Sequence, residues 1–151
     1  MPAARVLPLT LPLLAARLAS AAPQDAPALI EAAENGDRVA VSRLLDRGTP
    51  VDERAVDGTT ALHWAVRADR LDTVRLLLES GADASAADRY GVTPLYLAAE
   101  NGNAAVIAAL LDAGADVNGE APIGETALMT AVRTGVLDAV TLLLDRGAEV
   151  D

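Results

Sequence analysis

At 151 residues and 15.5 kDa the chain has room for one ordinary domain. Apolar residues make up 52% of it but aromatics only 2% (Trp64, Tyr90 and Tyr96, with no Phe), which excludes a bulky aromatic core; with Val the only plentiful strand former, an all-β sandwich or barrel is excluded too. All 12 basic residues are Arg against 22 acids, for a formal net charge of −10, and there is no Cys, so nucleic acid is a poor partner and thiol catalysis, disulfides, Cys-type zinc sites and a lipoprotein anchor are ruled out.

The first two dozen residues differ from the rest. No acid precedes Asp25, and Val6 to Ala16 is an apolar run preceded by Arg5 and interrupted by Pro8 and Pro12. Ala19-Ser20-Ala21 supplies a small-x-small cleavage pattern, and the run is too short for a permanent membrane span. Residues 1–21 therefore read as a signal peptide, which makes the mature chain exported, periplasmic or extracellular, without stable membrane insertion. A disordered N-terminus and an organellar transit peptide are the alternatives.

Beyond this segment the sequence repeats every 33 residues. Gly58, Gly91 and Gly124 share that spacing, as do Thr60, Thr93 and Thr126, Gly48, Gly81, Gly114 and Gly147, and the Leu pairs 44–45, 77–78, 110–111 and 143–144. Four units follow, at about 23–54, 55–87, 88–120 and 121–151. In each of the last three a Thr N-cap opens a short inner helix, Pro94 after Thr93 being the favoured first helical residue. Gly36, Gly102 and Gly135 fall where that helix must stop in a left-handed conformation; Asp69 takes this place in the second unit and marks a weak point. An outer helix follows, as in Leu71 to Ser80 with Val74, Leu77 and Leu78 on one face, and ends at Gly81. The small inner-helix residues Ala65, Ala98 and Ala131 let neighbouring units approach closely.

Asp57-Gly-Thr-Thr-Ala-Leu-His63 and Tyr90-Gly-Val-Thr-Pro-Leu-Tyr96, each followed by a short apolar helix and a Leu-Leu-x-x-Gly-Ala-Asp segment, closely resemble the ankyrin repeat. The resemblance runs from about Pro23 to Asp151, and within the family it extends to exported bacterial proteins carrying such arrays. It implies an all-α solenoid of stacked helix-turn-helix units with short β-hairpin-like finger loops.

The two ends differ. The first unit has Pro27-Ala-Leu-Ile30 in place of the Thr motif, and Glu31 and Glu34 charge its inner helix, as suits an N-terminal cap. The fourth is of internal type, so its outward face is expected to be bare. Either the array continues beyond this sequence, the favoured expectation, or that face meets a partner or another copy. Leu142 and Leu143 are the residues expected to be exposed on it.

Little in the chain supports catalysis, and the reading is of no enzyme, no cofactor and no metal site. His63 is the single histidine and stands where the family uses an imidazole to tie its own turn, while Tyr96 and Met129 replace it one and two periods on. There is no Lys, no GxGxxG and no calcium loop. Protein binding remains. The resemblance places it in the concave groove, here Arg54, Val56, Asp57, Thr59, Arg89, Tyr90, Val92, Pro122, Ile123 and Glu125 on the fingers and Trp64, Arg67, Glu100, Asn101 and Arg133 on the inner helices. Tyr90 beside Arg89 is the strongest single candidate. A regulatory or localising ankyrin region of a longer protein, its enzymatic or transporter domain lying beyond Asp151, is the rival reading.

Overall fold

A computed structural model describes residues 25–151; the expected signal peptide, residues 1–21, lies outside the described residues. Among the described residues the regular structure is eight α-helices, α1 Asp25–Glu34, α2 Arg38–Asp46, α3 Ala61–Arg67, α4 Leu71–Glu79, α5 Pro94–Asn101, α6 Ala104–Asp112, α7 Ala127–Thr134 and α8 Leu137–Asp145, with a 3-10 turn at Pro122–Gly124. They form four pairs. The inner helices α1, α3, α5 and α7 stack in chain order, and the outer helices α2, α4, α6 and α8 stack behind them.

Local chemistry sets the helix limits. Thr93 and Thr126 are N-caps whose hydroxyls accept the Tyr96 and Met129 amides at 3.3 Å, and Pro94 opens α5. Gly102 and Gly135 close α5 and α7 in the left-handed region. Asp69 holds that conformation without glycine's freedom, at φ +57, and the carboxamide of Asn103 in the next repeat donates to its carboxylate at 2.8 Å. The expected weak point is thereby tied to its neighbour.

No helix pair could bury its apolar stripe alone, so one core runs the length of the stack. Ala32, Ala65, Ala98 and Ala131, one period apart, form a buried column along the inner helices. Leu29, Leu62, Leu95 and Leu128 form a second column, and Val41, Val74 and Ile107 anchor the outer row. At Gly102 the next repeat lies close: a Cβ there would meet Cγ2 of Val136 at 2.5 Å, on a backbone already at φ +70.

One expectation is corrected. Leu143 is fully buried in the core and Leu142 is half-buried against it, because their side chains point into the helix pair and not off the end. The exposed large apolar residues of the fourth repeat are Ile123, Met129, Val132, Leu137, Leu144 and Val150.

The alanine column predicts a narrow size tolerance. Ala98→Leu should lower the unfolding free energy by about 1–3 kcal/mol through overpacking. Ala108→Leu, at a half-buried site on α6, should cost less. Urea titration followed by circular dichroism measures both.

Candidate partner-binding surface

Three loops project between the helix pairs and turn back on themselves. The amides of Ala55, Asp88 and Ala121 donate to the carbonyls of Thr59, Val92 and Glu125 at 2.9, 3.0 and 2.8 Å, giving hairpin-like fingers, the third with a bridge between Glu120 and Thr126. Their tips carry Val56, Tyr90 and Ile123, exposed by 88%, 69% and 101%. Pro122 is exposed beside Ile123.

The first two fingers are coupled through backbone. Nη1 of Arg54 donates to the carbonyls of Gly58 at 3.0 Å and Ala87 at 2.7 Å, Arg89 returns a guanidinium hydrogen bond to the Val56 carbonyl, and the Arg89 amide donates to Asp57 at 2.9 Å. Gly58 makes this approach possible, since a Cβ there would lie 2.9 Å from the Arg89 nitrogen. Each arginine thus commits one guanidinium nitrogen to the scaffold.

Asp57 caps its own turn: its carboxylate accepts the Thr59 amide at 3.0 Å and hydroxyl at 2.7 Å, and these bonds hold its pKa below the usual carboxylate value. The Thr59 hydroxyl also accepts the indole N–H of Trp64 at 3.0 Å. Trp64 is half-buried at the base of the first finger, with the Arg67 guanidinium 5.4 Å from the ring centroid.

Other candidates also join repeats. The half-buried Val92 offers its carbonyl to Nε2 of His63 at 3.0 Å, while Nδ1 lies 3.1 Å from the Thr60 amide, so the proton sits on Nε2 and Nδ1 accepts. Asn101 donates to the Val66 carbonyl at 2.8 Å, satisfying the end of the preceding inner helix. Glu125 accepts the Tyr96 hydroxyl at 3.2 Å and Nε of Arg133 at 3.2 Å. Desolvation pushes the Glu125 carboxyl up, but the bonds from Arg133 and Tyr96 outweigh it and leave the pKa low. Glu100 points to solvent from α5.

Ile123 was chosen by register alone, and the structure adds a feature that register does not carry. The amide of Gly124 closes the turn on the Ala121 carbonyl at 3.1 Å, with Pro122 and Ile123 as its central pair. Ile123 stands at φ +64, ψ 24, in the left-handed region that a β-branched side chain resists. A fully exposed isoleucine is held there at a backbone cost.

Among the described residues no group of three or more His, Asp or Glu is placed to hold a metal ion, and no helix is long and apolar enough to cross a membrane.

With stacked helix pairs, left-handed glycine stops and hairpin fingers established, comparison with known proteins defines the class. The family model for ankyrin repeats in three copies matches residues 10–88 and 84–151, and the chain belongs to the ankyrin repeat family. It is similar to the 2-5A-dependent ribonuclease of Mus musculus, 46% identical over 63 residues, covering 40% of this chain and 8% of that protein. It is also similar to the B-cell lymphoma 3 protein of Homo sapiens, 43% identical over 61 residues, covering 38% and 13%. The palmitoyltransferase AKR1 of Yarrowia lipolytica shares 42% over 59 residues, covering 38% and 8%. The chain thus spans a small part of the curated relatives it matches. The ankyrin fold is an interaction module without catalytic machinery of its own.

Two outcomes follow from this geometry. Burial first, with Arg54 adding to it, lowers the His63 pKa against the opposing pull of the Val92 carbonyl, Asp88 and Asp57. The unfolded chain therefore binds the proton more readily, and stability present above the ordinary imidazole value of about 6.5 is lost as pH falls toward the lower folded value. Urea midpoints measured at steps below neutrality should fall, and His63→Gln should flatten the part of the slope that histidine supplies. Ile123→Gly should raise stability by about 0.5–1 kcal/mol, relief of the left-handed Cβ outweighing glycine's entropy in the unfolded state, read as a higher thermal midpoint.

Proposed function

We propose that this chain is a non-catalytic scaffold that binds a partner protein across its concave groove and the tips of its three fingers. The observation that carries the reading is the row Val56, Tyr90 and Ile123: three strongly exposed apolar side chains, each at the tip of one of three consecutive fingers. Solvent-exposed apolar groups of this size contribute binding energy when a partner desolvates them, and rigid tips lose little conformational entropy in doing so. The cross-finger bonds of Arg54 and Arg89 supply the rigidity. Tyr90 is the central anchor. Trp64 and Arg67 flank the groove at the base of the first finger, Glu100 lines it further along, and Pro122 stiffens the third tip.

A second reading is supported by the three relatives quoted, of which the matched stretches cover 8–13%. In it the array localises or regulates a longer protein that carries an enzymatic or transporter domain. The reading frame downstream of Asp151 separates the two: a continuing frame encoding such a domain favours the second, and an immediate stop codon removes it. Export is part of the first reading. Its support is the apolar run and Ala19-Ser20-Ala21, and mass spectrometry of a periplasmic or extracellular fraction should find a chain beginning near Ala22; Met1 intact in cytosol would reverse it.

Affinity capture with the immobilised protein, followed by titration of the captured partner, tests the binding surface. Tyr90→Ala and Ile123→Gly should each weaken binding by roughly tenfold or more, about 1.4 kcal/mol, while Ile123→Gly leaves the array more stable. Unchanged affinity in both variants would remove the fingertip surface from the proposal.

A further inference from the structure

The last turn of each inner helix carries an exposed charge, and its sign alternates along the stack. Glu34, Arg67, Glu100 and Arg133 stand one period apart on α1, α3, α5 and α7. The row lies on the side from which the fingers rise: Arg67 lines a small cavity with Trp64, Asp88 and Val92, and Arg133 bonds Glu125 at the base of the third finger. Among the described residues the ion pairs are Arg133–Glu125 and Arg146–Asp112, so no member of the row is paired with the next, and the Arg133 side chain stays 58% exposed.

Alternation does what a row of one sign does not. Opposite a uniform row a charged partner can slip by whole repeats and lose only the pair at the end. Opposite an alternating row, a slip of one repeat sets like charges against each other at every remaining position. The row thus fixes register and direction, whereas the fingertips Val56, Tyr90 and Ile123, all apolar, supply contact that depends on neither. The spacing also selects the partner's backbone. Packed neighbouring helices lie about 8–10 Å apart. Side chains on one face of a strand recur about every 6.6–6.8 Å, too short a step. Seven residues return a helix to nearly the same face after about 10.5 Å, so over the three steps of the row it overshoots by roughly 1.5–7.5 Å. Polyproline II returns every third residue after about 9.3 Å, inside the range at each step. Its three columns also suit the site, one turned to the charged row, one to the fingertips and one to solvent.

Resting on the groove reading above, we propose that the partner protein enters as an extended, polyproline II-type segment whose charges alternate in sign at every third residue, positive opposite Glu34 and Glu100 and negative opposite Arg67 and Arg133. The fingertips hold the segment, and the charged row sets where along the array it sits.

Fluorescence anisotropy with three end-blocked synthetic peptides and the full chain tests this. The first carries Arg, Glu, Arg and Glu at every third residue with Leu and Pro between them; the second has the same composition with the charges in the order Arg, Arg, Glu, Glu; the third is a helix former with the alternating charges seven residues apart. Each has no net charge, so the acidity of the chain favours none. The first should bind roughly tenfold more tightly than the second at low salt, and the gap should close as salt screens the pairs. Glu100→Arg, which leaves each of these two peptides three matched positions and one opposed, should erase the gap while helical circular dichroism stays unchanged. Equal binding of both peptides that is lost in Tyr90→Ala overturns the charged row and leaves the fingertip reading standing. A gap that survives Glu100→Arg places the charge recognition elsewhere and overturns it, and tighter binding of the third peptide overturns the extended backbone. Failure of every peptide to bind also overturns the proposal, the fingertip reading being decided separately by the captured partner.

Discussion

The distance between successive inner helices governs this structure. It depends on the buried column Ala32, Ala65, Ala98 and Ala131, whose small side chains let successive helix backbones approach. Because the spacing is constant, each finger falls at the same offset from the one before, and side chains one period apart find partners of the same kind. The aromatic-poor composition follows from this constraint: a solenoid has no central cavity for Phe to fill, only narrow seams between units.

The seams are also stitched by polar groups in register. Asp52, Ser85 and Asn118 stand one period apart, and they accept the amides of Asp83, Asp116 and Glu149 in the following repeat at 2.9, 3.2 and 2.8 Å. Arg146 reaches back to Asp112 at 2.8 Å, and Asn103 to Asp69. Each link joins nearest neighbours, so stability is a sum of units and seams and not the property of a single nucleus. Being exposed, the Arg146–Asp112 pair adds little by itself. The amide-capping series has more structural weight, since it satisfies backbone donors at fixed positions.

Much of the fold was legible because its signals are local. A Thr before Ala-Leu or Pro-Leu fixes a helix start, and a Gly after it fixes the stop, whatever surrounds them. The surface was less legible. Register placed Arg54, Arg89 and Asn101 on the groove side, but it could not tell that each donates to a carbonyl of a neighbouring repeat, which depends on chain segments about one period away meeting in space. Leu142 and Leu143 were misplaced for a similar reason: a Leu pair offers two faces of one helix, and the sequence does not say which turns outward. The left-handed backbone of Ile123 also had no signal, because Pro-Ile-Gly invites the positive φ at glycine alone.

The imidazole of His63 is the only one in the chain, and it lies in the seam between the second and third repeats. The corresponding seam between the third and fourth is bridged by the phenol of Tyr96 and the carboxylate of Glu125, a pair without an imidazole's response to mild acid. A fall in pH below the ordinary imidazole value therefore acts at the middle of the array, at the joint that separates two repeats from two. That joint also runs between the first and second fingers, so the guanidinium bonds of Arg54 and Arg89 across it are what would hold the two fingers in register once the imidazole contact is lost.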